Sequence, residues 1–341
     1  MLLVYTELLD YRVPIFSALG SECDLVVTHS GRRMTADNAN FREVVLPRRR
    51  LWKFHHQPSL RKLIKTGEFD AVIYFMDIAW LSTVHAYLRH PLGVRRIIWG
   101  LWRTKRLLPD LIRVSLARNA DFNVFYSSQA AEDFIALGVP PERVTVARNT
   151  VRIENPCRKD AAHRDTILVV GSFNARKQND VTLAAFNEIA QTASTPVRLV
   201  FIGTGPELTK VKTLAQSSSV AHRIEFHPPC HDEETLRGFY DQAICSVSHG
   251  QAGLSVLQSF AYGVPFVTSK GAISGGEIEN IKDGVNGHLT NGTQEDLVTV
   301  LRKLVEDPGS AGNLGRAALG YYRDHASAAH MVRGFLQAID S

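Results

Sequence analysis

Two adjacent cations and a set of glycine-bearing loops are the residues whose types and spacing could do chemistry in this 341-residue chain. GSFNARKQ at 171–178 follows the apolar run TILVV and puts Arg176 and Lys177 where a strand gives way to a helix. Backbone N–H groups at such a junction face the ligand edge of a sheet, and two cations beside them suit a diphosphate. A solvated basic pair is the plainer alternative, although the helix dipole disfavours cations at that end. The spacing is not GxGxxG, so the dinucleotide fingerprint is missing and oxidoreductase chemistry loses rank.

HGQAGLSVLQSFAYGVPFVT at 249–268 is the second such stretch. After the strand AICSVS it opens a helix predicted over 254–261, and the amides from Gly250 through Gln251, Ala252, Gly253 and Leu254 are then free to meet an anion without side-chain charge. Gln258, four residues after Leu254, is either a ribose ligand with both a donor and an acceptor or a surface glutamine. FIGTGPE at 201–207 closes a strand in a tight turn, with Pro206 at a first helical position, and Gly203 either packs or approaches a ligand. In GGEIE at 275–279, Gly276 lets the backbone come close to a sugar or phosphate. Glu277 and Glu279 either accept from sugar or ribose hydroxyls or answer the dipole of the next helix.

These loops need a scaffold, and the apolar runs supply it. Residues 2–5, 23–28, 70–75, 96–99 and 122–126 read as strands, mostly separated by helical crossovers, and the same alternation resumes at 166–170 and continues to 269. Alternation of this kind predicts parallel sheets covered on both faces, with ligands beyond the carboxyl ends of the strands. The polar segment NPCRKDAAHR at 155–164 reads as a linker. The predicted organisation is therefore α/β, two Rossmann-like domains facing a central cleft: 1–158, 165–325, and a terminal helix over 326–341 that returns to the first domain.

Composition narrows the class. The chain is 45% hydrophobic, which argues against disorder, and its four cysteines contain no CxxC pair, so a zinc knuckle or disulfide scaffold is not suggested. No run of eighteen apolar residues is present, which excludes a spanning helix, and the N-terminus lacks the features of a leader. A reducing, cytoplasmic setting is expected, including the inner face of the cytoplasmic membrane. The net charge of +5 is uneven: residues 48–65 carry seven Lys or Arg, no acid, and interleaved Leu, Trp and Phe, and Arg95, Arg96, Arg103, Lys105 and Arg106 follow. Such a patch is either a solvated helix face or a peripheral contact with an anionic membrane. Nucleic acid is not expected as a partner, because no recognised module accompanies it.

Together these segments resemble the retaining, metal-independent glycosyltransferases of the GT-B fold, family 4, of the kind that builds surface polysaccharides such as lipopolysaccharide and capsule. The resemblance rests on GSFNARKQNDVTLAAF (171–186), LVFIGTGPE (199–207), FHPPCHDEETLRGFY (226–240), the stretch from His249 and GGEIENIKDGVNGHL (275–289). YRVPIFSAL (11–19) and the segment 124–151 carry it in the first domain. It implies a UDP- or GDP-sugar held by the second domain, a glycan or lipid-linked acceptor held by the first, no cofactor and no metal. Lys177 matches the family's phosphate-binding lysine, Arg176 stands in for an arginine usual at Ser172, and Glu279 matches the acid after the double glycine. Backbone near Phe226 and His227 is where the base would be read.

Two departures are informative. The family's paired glutamates, eight residues apart, are here Gly250 and Gln258. Gln258 keeps the hydrogen bond without the charge, while Gly250 leaves only backbone for the sugar. In the first domain Leu101 occupies a place where a histidine is common, which makes Asp77 the candidate to orient the acceptor hydroxyl, or else a helix cap. Arg12 is the candidate for the diphosphate or an anionic acceptor. The family's front-face mechanism asks for cations and amides around the leaving diphosphate, which itself takes the acceptor's proton. An epimerase or hydrolase on the same scaffold, or a noncatalytic sugar-nucleotide binder, are the competing readings.

Overall fold

The computed structural model describes residues 1–35, 39–104, 106–159 and 164–341; Lys105 and part of the expected linker lie outside the described residues. The chain divides into two compact units, Met1–Arg152 with Ala328–Ser341, and Ile153–Ser327.

The first unit runs β1 (Leu2–Val4), α1 (Val13–Gly20), β2 (Val26–His29), β3 (Arg42–Val45), a hairpin of β4 (Arg49–Leu51) and β5 (Phe54–His56), α2 (Leu60–Thr66) and β6 (Ala71–Phe75). It continues through α3 (Leu81–Leu88), β7 (Arg95–Trp99), α4 (Leu107–Arg118), β8 (Phe122–Phe125), α5 (Ser128–Ala136) and β9 (Val144–Val146). Seven strands form one parallel sheet in the order β3-β2-β1-β6-β7-β8-β9. The central strands are buried along their length because helices cover both faces, which is why they read as unbroken apolar runs. Edge strands β3 and β9 are short and partly exposed, and their weak pattern does not register as strand in the sequence. The basic stretch 48–65 is not a single helix face: the chain reverses at Trp52, which takes a φ of 56°, and builds the hairpin before α2.

The second unit runs β10 (Thr166–Val170), α6 (Asn179–Thr192), β11 (Arg198–Ile202), α7 (Leu208–Gln216), β12 (Ile224–His227), α8 (Glu233–Gln242), β13 (Ala243–Val247), β14 (Gln251–Ala252) and α9 (Ser255–Ala261). β15 (Phe266–Ser269), β16 (Ile273–Ser274), β17 (Gly287–Thr290), α10 (Gln294–Glu306) and α11 (Pro308–Tyr321) complete it. Its six-stranded parallel sheet has the order β12-β11-β10-β13-β15-β17. Strand order reverses direction between β10 and β13, so the loops after those two strands diverge around a switch point at the carboxyl edge. Local signals start the helices: Asp232 accepts from Thr235 N–H at 2.7 Å ahead of α8, and Thr293 accepts from Asp296 N–H at 3.2 Å ahead of α10.

The C-terminal helix (Ala328–Asp340) belongs to the first unit. Met331, Phe335 and Ala338 are fully buried there, and the Phe335 ring meets Trp99 edge-on with centroids 4.9 Å apart. Truncating a ring in that position removes packing that nothing else fills. Phe335→Ala is expected to destabilise the first unit by about 3–5 kcal/mol, read by urea unfolding; a loss below about 1 kcal/mol would mean the helix is not part of that core.

Candidate functional site

Three loops converge at the carboxyl edge of the second sheet. Gly250 N–H donates to the Lys177 carbonyl at 3.2 Å, Ile273 N–H donates to the Gly250 carbonyl at 2.9 Å, and Ser269 N–H donates to the His249 carbonyl at 3.1 Å. The segments after β10, β13 and β15 are thus tied together through main chain. Parallel pairing of β14 with β16 extends the tie from Gln251–Ala252 to Ile273–Ser274, next to Gly275 and Gly276.

Gly250 explains its own presence. A Cβ there would lie 2.3 Å from the Arg176 carbonyl oxygen and 2.9 Å from the Gln178 side chain. A glutamate in this place has no room, so the absence of the first family carboxylate goes with the tight junction of the two loops. At Gly203, with φ +149°, a Cβ would lie 2.0 Å from the Gly171 carbonyl oxygen. Gly203 is buried, and the close approach of backbone that it allows here is to Gly171.

Lys177 sits in a 3-10 turn (Ala175–Lys177) and is 7% exposed. Its ammonium has no hydrogen bond or ion pair with any described residue, and it points toward Gly171, 3.4 Å from where a Cβ would stand. Burial alone pushes its pKa down to about 8. Neighbouring Arg176 is exposed, with no ion-pair partner among the described residues. The amides of Gly253, Leu254 and Ser255 also have no backbone acceptor among the described residues. The predicted helix 254–261 begins one residue later than expected, and the loop before it is strand rather than helix turn, because β14 pairs with β16.

Further polar atoms of this region are buried without a partner among the described residues: His249 Nδ1, Gln251 Oε1, Ser255 Oγ and Asn179 Oδ1. Of these the sequence reading named Gln251 alone. His249 is 2% exposed, and its Nε2 lies 3.3 Å from the Gly292 carbonyl oxygen. The signal that could have found it is its position between the end of a buried strand and Gly250. Gln258 is half-buried on α9, with its Oε1 accepting from the Tyr240 hydroxyl at 3.4 Å. Its amide NH₂ has no acceptor among the described residues.

The other expected residues are placed differently. Glu277 is 5% exposed and folds back on its own turn, where Oε2 accepts from Gly275 N–H at 2.9 Å and from Ser274 Oγ at 3.2 Å. It organises the double-glycine turn, in which Gly276 has φ +116°, and does not present its carboxylate outward. Glu279 is half-buried in the same 3-10 turn (Glu277–Asn280). Phe226 stacks on Phe201 with centroids 5.0 Å apart, and His227 lies 3.2 Å from Glu225 Oε2. The His227 carbonyl already accepts from Gly203 N–H at 3.1 Å.

In the first unit Asp77 is half-buried, and its Oδ1 accepts from Ala79 N–H at 2.9 Å. It therefore fixes the turn leading into α3. Arg12 is 1% exposed; its guanidinium donates to Asn149 Oδ1 at 2.7 Å and to the Tyr126 hydroxyl at 2.9 Å, and lies 5.1 Å from the Trp99 ring centre. Expected at the diphosphate or an anionic acceptor, it lies in this structure in the interior of the first unit, against Met331 of the C-terminal helix at 3.4 Å.

Among the described residues no group of three or more His, Cys, Asp or Glu is arranged to hold a metal ion, and no helix is long and apolar enough to cross a membrane. Two Rossmann-like α/β domains, with cations and free amides at a switch point, define the GT-B class of fold. Residues 158–320 match the family model for glycosyl transferases group 1, and residues 16–155 match that for glycosyltransferase family 4. Each model covers just under half of the chain, and together they cover most of it, so that each half matches a glycosyltransferase family. The GDP-mannose-dependent alpha-(1-6)-phosphatidylinositol monomannoside mannosyltransferase of Mycolicibacterium smegmatis is 25% identical over 222 residues, 62% of this chain and 57% of that protein. The lipopolysaccharide core biosynthesis glycosyltransferase LpsE of Rhizobium meliloti is 26% identical over 215 residues, 61% of each. The matches thus span less than two thirds of either relative. In fold, the chain is similar to HepE of Anabaena, solved in complex with UDP, with a TM-score of 0.76 and 15% identity over the whole of both chains.

The steric reading of Gly250 is open to test. Gly250→Ala is expected to cost about 1–3 kcal/mol in thermal or urea unfolding, and Gly250→Glu, which restores the family residue, at least as much. A Gly250→Glu protein as stable as the parent would show that the loops part freely.

Proposed function

We propose that this protein is a retaining glycosyltransferase that moves a sugar from a UDP- or GDP-sugar to a glycan or lipid-linked glycan, without a metal. The observation that carries the reading is Lys177, a largely buried side chain whose ammonium has no partner among the described residues, in the loop tied to the start of α9 at the switch point. An unpaired buried charge is costly, and a diphosphate is the group that offsets it. The GDP-mannose-dependent Mycolicibacterium relative supports a nucleotide-sugar donor, and its lipid acceptor supports a lipid-linked one.

In the proposed reaction Lys177 and Arg176 hold the diphosphate together with the amides of Gly253 and Leu254. As the glycosidic C–O bond breaks, the bonding pair goes to the phosphate oxygen, and the cations stabilise that charge. The acceptor hydroxyl attacks the same face, and its proton passes to the departing phosphate oxygen. Gln258 and Glu279 are the proposed hydroxyl contacts, with main chain at Gly250, Gln251 and Ala252 along the sugar. The basic stretch 48–65, whose seven Lys and Arg side chains are all exposed, is the proposed contact with an anionic membrane on the cytoplasmic side.

Titration calorimetry with UDP and GDP is expected to show binding of one of them, lost in an Arg176→Ala/Lys177→Ala variant. Because Lys177 carries its proton only below about pH 8, affinity should fall by about tenfold per unit above that pH, and Lys177→Met should abolish this slope. The same depressed pKa makes the unfolded chain hold more protons between about 8 and 10.5, so the lysine's penalty to folding is complete below that window and fades as pH rises through it. Failure to bind either nucleotide sinks the donor-site reading; binding with no transfer to any acceptor favours a noncatalytic sugar-nucleotide binder.

Transfer should also survive excess EDTA. A loss of activity that magnesium or manganese restores would overturn the metal-free mechanism.

A further inference from the structure

Helix α4 faces water with its apolar side. Leu107, Leu108, Leu111 and Ile112 are 80%, 69%, 57% and 41% exposed, while Asp110 and Arg113 on the opposite face are 7% and 5% exposed. A surface helix in water has the reverse arrangement.

The orientation is locked by the buried polar side. Asp110 Oδ1 accepts from Thr104 N–H at 2.9 Å and from Thr104 Oγ1 at 2.8 Å, and Arg113 Nη1 lies 3.5 Å from the same oxygen. The Arg113 guanidinium also stands over the Trp102 ring at 5.4 Å. Rolling the helix to hide its leucines would break these bonds and strand a carboxylate, which costs more than the leucines gain.

The rim of this face is cationic and aromatic. Arg103 and Arg106 are exposed, Trp102 is 43% exposed, and Arg106 occupies the N-cap of α4, where the helix dipole opposes a cation. An external anion would answer that charge. α4 starts beyond the carboxyl end of β7, and the β4–β5 hairpin starts beyond that of β3, so both stand on one edge of the first sheet. The hairpin tip shows the same chemistry: Trp52 is 79% exposed, with Lys53 Nζ 4.5 Å from its ring centre.

We propose that α4 is a membrane-docking helix: residues 107–112 enter the acyl boundary of an anionic bilayer, and Arg103 and Arg106 take headgroup phosphates. Tryptophan at the rim suits the interfacial belt. A bilayer fits better than a second copy of the chain, because a two-fold contact would crowd the cations of both copies around its axis. The inference is independent of glycosyl transfer and adds a second, apolar surface to the basic stretch.

The test is cosedimentation of the full chain with phosphatidylcholine vesicles, with and without phosphatidylglycerol. The parent should partition onto the anionic vesicles, and Leu108→Glu/Leu111→Glu should weaken that partition by at least about tenfold with an unchanged thermal melt. Arg106→Glu should weaken binding to the anionic vesicles alone. If the double variant melts early, Leu107→Ser, at the most exposed of the four positions, gives the same readout. A parent that binds no vesicle, or variants that bind as the parent does, would overturn the proposal. So would a concentration-dependent dimer in analytical ultracentrifugation that the double variant abolishes without any lipid binding.

Discussion

The bond from Gly250 N–H to the Lys177 carbonyl is the constraint on which the candidate site depends. It joins the loops after β10 and β13, the strands between which the sheet reverses its order. The bond holds the main chain at Lys177, and Gly250 cannot carry a side chain while Arg176 lies against it. A single close approach of main chain thus fixes a buried cation and removes a carboxylate in the same place.

Other cations of the second unit show what is unusual about Lys177. Lys210 is met by Asp180 at 2.9 Å and Glu207 at 3.4 Å, and Arg198 by Asp165 at 2.9 Å and Glu225 at 2.8 Å. Both pairings raise the pKa of the base, by the hydrogen bonds it donates to the carboxylates first. Lys177 shifts the opposite way because desolvation acts with no opposing charge. A cation held this way is prepared for an anion that arrives from outside. Arg12 in the first unit is also deeply buried, but there tyrosine and asparagine oxygens accept from its Nη2 and aromatic faces flank the guanidinium, leaving Nε alone among its nitrogens buried without a partner among the described residues.

Much of this was legible in the sequence, and the reasons for the remainder are local. Central strands of a parallel sheet are apolar on both faces, so TILVV and RLVFI stand out, whereas edge strands such as β3 and β9 alternate over too few residues to register. The loop at 171–178 could be placed because a strand end and a helix start bracket it. What the sequence could not show is which way a side chain turns within a loop. Glu277 and Glu279 are two residues apart and read alike, yet Glu277 closes on Gly275 N–H, and that choice follows from the turn at Gly276. Arg12 read as a ligand residue because it follows the first strand; its burial is decided by the C-terminal helix, more than three hundred residues away.

The two replaced glutamates alter the electrostatics of the site together. With Gly250 and Gln258 standing where the family resemblance places glutamates, the edge near Lys177 is without two carboxylates that would otherwise offset its charge and that of Arg176. Fewer carboxylates strengthen the pull on a diphosphate and weaken the charge-assisted bonds to hydroxyls. On the proposed reading, neutral donors and main chain carry the discrimination among sugars, by shape and by the cost of leaving a buried polar atom unpaired. The partnerless atoms of His249, Gln251 and Ser255 lie where that cost would be felt. A site built this way would bind its nucleotide by charge and choose its sugar by geometry.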